Sequence, residues 1–171
     1  MGEIKLLFSR TRTLHSLAVR LFTGSPWSHV EFIDGEGVIG ALPGGVRRTP
    51  LTERLAEVSA FQIVRVPCPE PRRVLTACYT QYGKPYDFAG IVGLVTRARN
   101  WQDRDRWFCS ELVSWCFDAA GWPLFRKDLV WRITPQHLWM LEFPWGRESE
   151  VLTPAMRALL SSDVLTSELN P

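Results

Sequence analysis

A β-hairpin pattern near the amino terminus constrains the fold more than any other feature of the chain. Residues 28–33 have the two-residue period of a strand, with Val30 and Phe32 on one face and His29 and Glu31 on the other. The turn sequence Asp-Gly-Glu-Gly follows, and then a short apolar run that supplies a returning strand. Because strands joined by a tight turn run antiparallel, we expect an antiparallel sheet in which His29 and Glu31 point the same way.

The remaining periodicity predicts helices and further strands around this hairpin. The order of the elements favours an α+β domain in which an antiparallel sheet packs against helices. A polar surface loop is expected over 97–106, and a further short helix begins at Thr134-Pro135. The main predicted elements, in chain order, are a strand at 4–8, a helix at 13–22, the hairpin, a helix at 50–58, a strand at 61–66, helices at 70–82 and 87–95, and a helix from 109 to 120.

Length and composition indicate one globular domain. The chain has 171 residues, of which 46% are hydrophobic. We place the domain at residues 1–144 and interpret 145–171 as a loosely held carboxy-terminal tail. A net charge of +2 with dispersed Lys and Arg does not favour a nucleic-acid partner.

The expected location follows from what the sequence lacks. No apolar run approaches the 18 residues of a membrane span. Nothing at the amino terminus resembles a signal peptide, so we expect a cytoplasmic protein, with delivery outside the cell by another route left open.

The four cysteines are not spaced like metal ligands. No pair has the C-x-x-C spacing, and no histidine lies at zinc-ligand spacing from a cysteine, so neither a metal nor another cofactor is predicted. Cys68, Cys78 and Cys116 are expected to be reduced and to serve packing.

Cys109 differs from the other three cysteines because it stands where a charged stretch gives way to an amphipathic helix. Unpaired N–H groups and the positive end of the helix dipole would stabilise a thiolate there, so we expect a thiol pKa below its reference of about 8.5. His29 offers a general base on a strand. A cysteine with a histidine base is typical of a cysteine hydrolase, and the chain is therefore an enzyme candidate.

Three strings, in this order, resemble a known family. They are Trp-Ser-His-Val at 27–30, Gly-Lys-Pro-Tyr-Asp at 83–87 and Phe-Cys-Ser-Glu-Leu-Val at 108–113. Together they resemble the permuted NlpC-like cysteine hydrolases of the YiiX/YebB type, and the resemblance spans roughly residues 4–143.

The resemblance implies a papain-like, circularly permuted fold and hydrolysis of an amide or related acyl bond. Cell-wall peptides are the usual substrate class of such enzymes, so the implied partner is a peptide or acyl substrate, possibly derived from the cell wall. Carried onto this chain, Cys109 is the nucleophile and His29 is the base. Tyr86, Trp27 and Ser28 are the candidate substrate-binding residues.

This chain departs from the family at the residue that orients the imidazole. The expected position on the neighbouring strand holds Gly40. Glu31 is the candidate replacement, although side chains at i and i+2 of a strand lie nearly 7 Å apart, which makes a direct hydrogen bond awkward. A water molecule or a main-chain carbonyl is the alternative.

Two other functions stay open on the same fold. One is an acyltransferase or lipid-acting enzyme, because nothing in the sequence separates amide from ester substrates. The other is a ligand-binding module that has lost turnover, a hypothesis motivated by Gly40. The sequence does not determine the oligomeric state.

Overall fold

The protein, described by a computed structural model at residues 2–87, 106–141 and 147–151, contains one antiparallel sheet. Its six strands follow the order β4-β3-β2-β1-β5-β6, and every neighbouring pair is antiparallel. The α+β class and the predicted hairpin are confirmed. The strands are Glu3–Arg10 (β1), His29–Asp34 (β2), Gly37–Leu42 (β3), Gly45–Pro50 (β4), Ala60–Pro67 (β5) and Arg147–Val151 (β6).

The helices of the described residues mostly lie where the periodicity predicts them. Thr134 caps one helix together with His137, as expected from the Thr-Pro signal. The helix predicted over 87–95 and the polar loop over 97–106 lie outside the described residues, except for their terminal residues Asp87 and Arg106. The helices are Leu14–Thr23 (α1), Leu51–Glu57 (α2), Pro71–Tyr79 (α3), Cys109–Ala119 (α4) and Pro135–Met140 (α5), with a 3₁₀ helix at Lys127–Arg132.

Helices cover both faces of the sheet. On one face α4 packs against β2, where the ring centroids of Phe117 and Phe32 are 6.1 Å apart. On the other face Leu51 and Leu55 of α2 pack with Leu7 of β1. Because β2 lies between the two helices, its polar side chains are buried as well as its apolar ones. This arrangement places the polar face of β2 inside the protein.

Helix α1 turns its apolar stripe away from the core. A stripe at this spacing normally faces the interior, but here Ser16 and Val19 are the buried residues, and Leu14 and Leu21 are exposed. The Ser16 hydroxyl lies 2.7 Å from the Ser28 hydroxyl. This contact fixes the rotation of the helix about its axis.

The carboxy-terminal segment contributes to the sheet. Strand β6 pairs with β5 and falls within 145–171, the segment that the sequence suggests is a tail; the rest of that segment lies outside the described residues. None of the helices in the described ranges is long and apolar enough to cross a membrane.

Candidate active site

Cys109 is the first residue of α4 and is fully buried. The first hydrogen bond of the helix runs from the Leu112 N–H to the Phe108 carbonyl, so the N–H groups of Cys109 and Ser110 have no partner in the helix itself. Both N–H groups favour the thiolate form of the Cys109 sulfur, and so does the N–H of Val30 on β2. The sulfur therefore lies at a cluster of main-chain donors.

Burial controls the protonation of this thiol. The pKa of Cys109 is raised to about 12, mainly by burial and in smaller part by the nearby Glu31 carboxylate, although the three N–H groups act in the opposite direction. The expectation of a pKa below the reference is therefore wrong. The sequence reasoning took the helix start to be exposed, whereas the structure removes it from water. At neutral pH the sulfur carries its proton.

His29 and Glu31 project from the same face of β2, as predicted. The His29 Nε2 and Glu31 Oε2 atoms are 3.6 Å apart, slightly too far for a hydrogen bond. The separation of i and i+2 side chains along a strand accounts for this gap. Burial lowers the pKa of His29 well below its ordinary value, and the positive charges of Arg54 and His15 lower it further. The imidazole is therefore neutral at neutral pH.

Arg54 completes this polar cluster, although no prediction from the sequence includes it. It lies on α2 and its Nε donates to Glu31 Oε2 at 2.6 Å. Its other nitrogens donate to Glu57 at 3.1 Å and to the Ser9 hydroxyl at 3.3 Å. The available signal was its position beside Leu55, on the buried side of a short amphipathic helix. Burial raises the pKa of Glu31, and Arg54 opposes this by holding the carboxylate.

Gly40 leaves the space that Glu31 occupies. A Cβ atom built on Gly40 would lie 2.9 Å from the Glu31 Cγ, closer than real side chains approach. The space at the position where the resemblance predicts an orienting residue is therefore filled by a side chain from the adjacent strand. The Glu31 side chain can lie here because Gly40 has no side chain of its own.

Replacing Gly40 with alanine is expected to lower the free energy of unfolding by about 1–3 kcal/mol, because the added methyl must displace a buried side chain. Denaturant titration measures the change. The matched control is the same substitution in a Glu31→Ala background, where the obstructing Cγ is absent and the additional cost should largely disappear. An equal cost in both backgrounds would show that Gly40 does not accommodate Glu31.

The Cys109 sulfur lies near β2, the strand to which His29 belongs. The sulfur accepts from the N–H of Val30, the residue that follows His29. Alternation directs Val30 toward α4, and directs His29 toward Glu31 and Arg54. No hydrogen bond joins these two described side chains, and the buried His29 Nε2 has no hydrogen-bond partner.

The candidate substrate-binding residues divide into two groups. Tyr86 is buried near Cys109. Burial raises the pKa of Tyr86 well above its ordinary value, and ionisation of Cys109 adds to this shift. Trp27 and Ser28 lie immediately before β2. The Ser28 hydroxyl contacts Ser16, and Trp27 lies under the guanidinium of Arg10 at 6.0 Å. Their roles toward a substrate stay predictions.

Comparison with known proteins supports the fold. No protein-family model and no curated protein matches the chain. Among solved structures, the chain is similar to the crystal structure of metalloprotein YiiX from Escherichia coli O157:H7, a DUF1105 protein, with a TM-score of 0.65 over 89% of this chain and 97% of that one. The fold is YiiX-like. At 20% identity the likeness to YiiX shows the fold alone, and it agrees with the resemblance predicted from the three strings.

The described residues do not fit a metal centre of the kind that the description of YiiX suggests. No group of three or more His, Cys, Asp or Glu residues among them lies close enough to hold an ion. His29 and Glu31 are adjacent, but the Arg54 guanidinium already holds the carboxylate and would repel a cation.

Proposed function

We propose that the protein is a cysteine hydrolase that cleaves an amide or related acyl bond, with Cys109 as nucleophile and His29 as base. The observation that carries the proposal is the position of the Cys109 sulfur at a helix start, near the main-chain N–H of Val30, the residue that follows His29 on β2. The papain-like, permuted arrangement and a cell-wall peptide as substrate class rest on the family resemblance.

The protonation states favour a general-base mechanism over a preformed ion pair. The thiol is neutral and so is the imidazole. His29 takes the thiol proton as the sulfur attacks the carbonyl carbon, and the N–H groups of Cys109 and Ser110 stabilise the oxyanion. Collapse of the intermediate breaks the acyl bond, and the leaving amine or alcohol takes the proton from His29. Water activated by His29 then hydrolyses the thioester.

The missing hydrogen bond between sulfur and imidazole is compatible with this role. Catalytic hydrogen bonds are often long before substrate binds. His29 is the first residue of β2 and its Nε2 has no hydrogen bond to lose when the ring turns. Glu31, fixed by Arg54, limits where the ring can go on the opposite side.

A ligand-binding module without turnover is the competing function. The raised thiol pKa of about 12 favours it, because an unactivated cysteine is a poor nucleophile. Under this hypothesis the Cys109→Ala protein binds its ligand with unchanged affinity. No acyl-enzyme then forms with any substrate.

The deciding experiment is intact-mass detection of a thioester. The protein is incubated with 4-nitrophenyl esters and with cell-wall peptides, and we expect one acyl group on Cys109. Cys109→Ala should abolish the adduct, whereas Cys116→Ala, which removes a buried cysteine of the same helix, should retain it. An adduct that persists without Cys109, or no adduct with any substrate, would contradict the proposal. Release of fatty acid from an added phospholipid, without cleavage of the peptides, would identify the lipid-acting alternative.

A further inference from the structure

We propose that helix α1 docks the protein on the surface of an anionic phospholipid bilayer. The inference rests on the exposure and charge of this helix, and it is independent of the proposed hydrolysis. It concerns binding at the surface of a membrane.

The apolar stripe of α1 is the most exposed apolar surface that one helix of the described residues presents. Its residues lie at helical spacing on one side, and the exposed fraction is 84% for Leu14, 42% for Leu17, 73% for Leu21 and 64% for Phe22. Contiguous apolar patches on soluble proteins mark interaction sites. The exposure of four large apolar side chains within nine residues points to a partner with an apolar interior.

The charge around the stripe identifies that partner. Residues 10–30, which include the end of β1 and all of α1, carry three arginines and no Asp or Glu, although the net charge of the whole chain is only +2. Exposed Arg12 precedes the helix, and Arg20 lies within it. An apolar helix face flanked by arginines is the pattern of helices that lie in the interface of an anionic bilayer. A second copy of the chain would bring two such basic segments together, which disfavours that occupant.

The helix is rigidly attached to the fold. The Ser16 side chain holds α1 to Ser28, and Thr13 caps its first turn by accepting from the Ser16 N–H at 3.2 Å. The stripe is therefore already formed and correctly rotated before any partner arrives, which lowers the entropic cost of docking. Because Ser28 precedes His29, a bilayer bound to α1 lies close to the strand that carries the candidate base.

The test is sedimentation of the full chain with vesicles. Vesicles of phosphatidylglycerol mixed with phosphatidylcholine should bind the protein, with affinity that falls as salt increases, and vesicles of phosphatidylcholine alone should bind it weakly. Leu14→Gln with Leu21→Gln should weaken binding about tenfold or more, since the apolar area no longer enters the interface. The matched control is Tyr82→Gln with Met140→Gln, two exposed apolar residues on other elements, and it should bind like the wild type.

The other occupants give distinct results. If the carboxy-terminal segment covered the stripe, the Leu14→Gln and Leu21→Gln protein would melt at a lower temperature without lipid, and the proposal would be overturned. A change of oligomeric state in the same variant would identify a second copy and would also overturn it. Equal binding by both double variants, or no binding by the wild type, would do the same. The Cys109→Ala protein should bind vesicles like the wild type, so a failure of hydrolysis leaves this inference intact.

Discussion

Replacing His29 with alanine is expected to slow the acylation of Cys109 by about 10²- to 10⁴-fold, the usual contribution of a general base. The reason is the state of the sulfur: with a thiol pKa of about 12, almost no thiolate exists at neutral pH, and attack requires a group that removes the proton. Rapid-quench mass spectrometry of the acyl-enzyme measures the rate. Thermal melting checks that the variant is folded.

The control for His29 is His15→Gln. His15 is exposed on α1, and its charge is the smallest of the three causes that lower the pKa of His29, so its loss should change the rate little. Acylation by the wild type should be nearly independent of pH between about 6.5 and about 8.5, the ordinary pKa values of histidine and cysteine, because the imidazole stays neutral above its lowered pKa and the thiol keeps its proton. A rate that rises about tenfold per pH unit would indicate attack by a free thiolate and would contradict the general-base role.

The sequence predicts the architecture well because the fold rests on local periodicity. The two-residue period of 28–33 and the turn that follows determine the hairpin, and helix signals at 70–82 and at 109 match α3 and α4 closely. Strand β6 carries no comparable signal. Its sequence, Arg-Glu-Ser-Glu-Val, is polar, and only its pairing with β5 makes it a strand.

The sequence predicts the candidate site only in part, because two of its properties depend on tertiary structure: the pKa of Cys109 and the contact between Arg54 and Glu31. Placing His29 and Glu31 together needs nothing more than alternation along one strand. The pKa of Cys109 depends on how much of the fold covers the start of α4, which the sequence of that helix does not contain. Arg54 is brought to Glu31 by a helix that begins twenty residues later, and Gly40 makes room for the pair. The sequence signal for this pair is Arg54 at core spacing beside leucines, together with a glycine, Gly40, that no turn requires.

Replacing Arg54 with methionine is expected to lower the free energy of unfolding by about 3–5 kcal/mol, the usual cost of leaving a buried charge without its partner. Methionine keeps most of the volume of the arginine side chain. The loss of stability therefore reports the unpaired charge of Glu31 and not a cavity. Guanidinium titration at neutral pH measures it. Arg73→Met is the matched control: Arg73 also pairs with a glutamate, but at an exposed site, and its loss should change stability by less than about 1 kcal/mol.

The pH dependence and a double variant separate charge from packing. Because the pKa of Glu31 is raised in the folded state, protonation of Glu31 stabilises the fold at pH values below its ordinary pKa of 4.5. This stabilisation is lost as the pH rises. The stability deficit of Arg54→Met should therefore shrink as the pH falls toward 4.5.

Glu31→Gln with Arg54→Met should recover most of the stability, because neither buried charge remains. If that double variant is stable yet acylates Cys109 slowly, the ion pair acts by holding the ring of His29; if it acylates at the wild-type rate, the pair serves the fold alone.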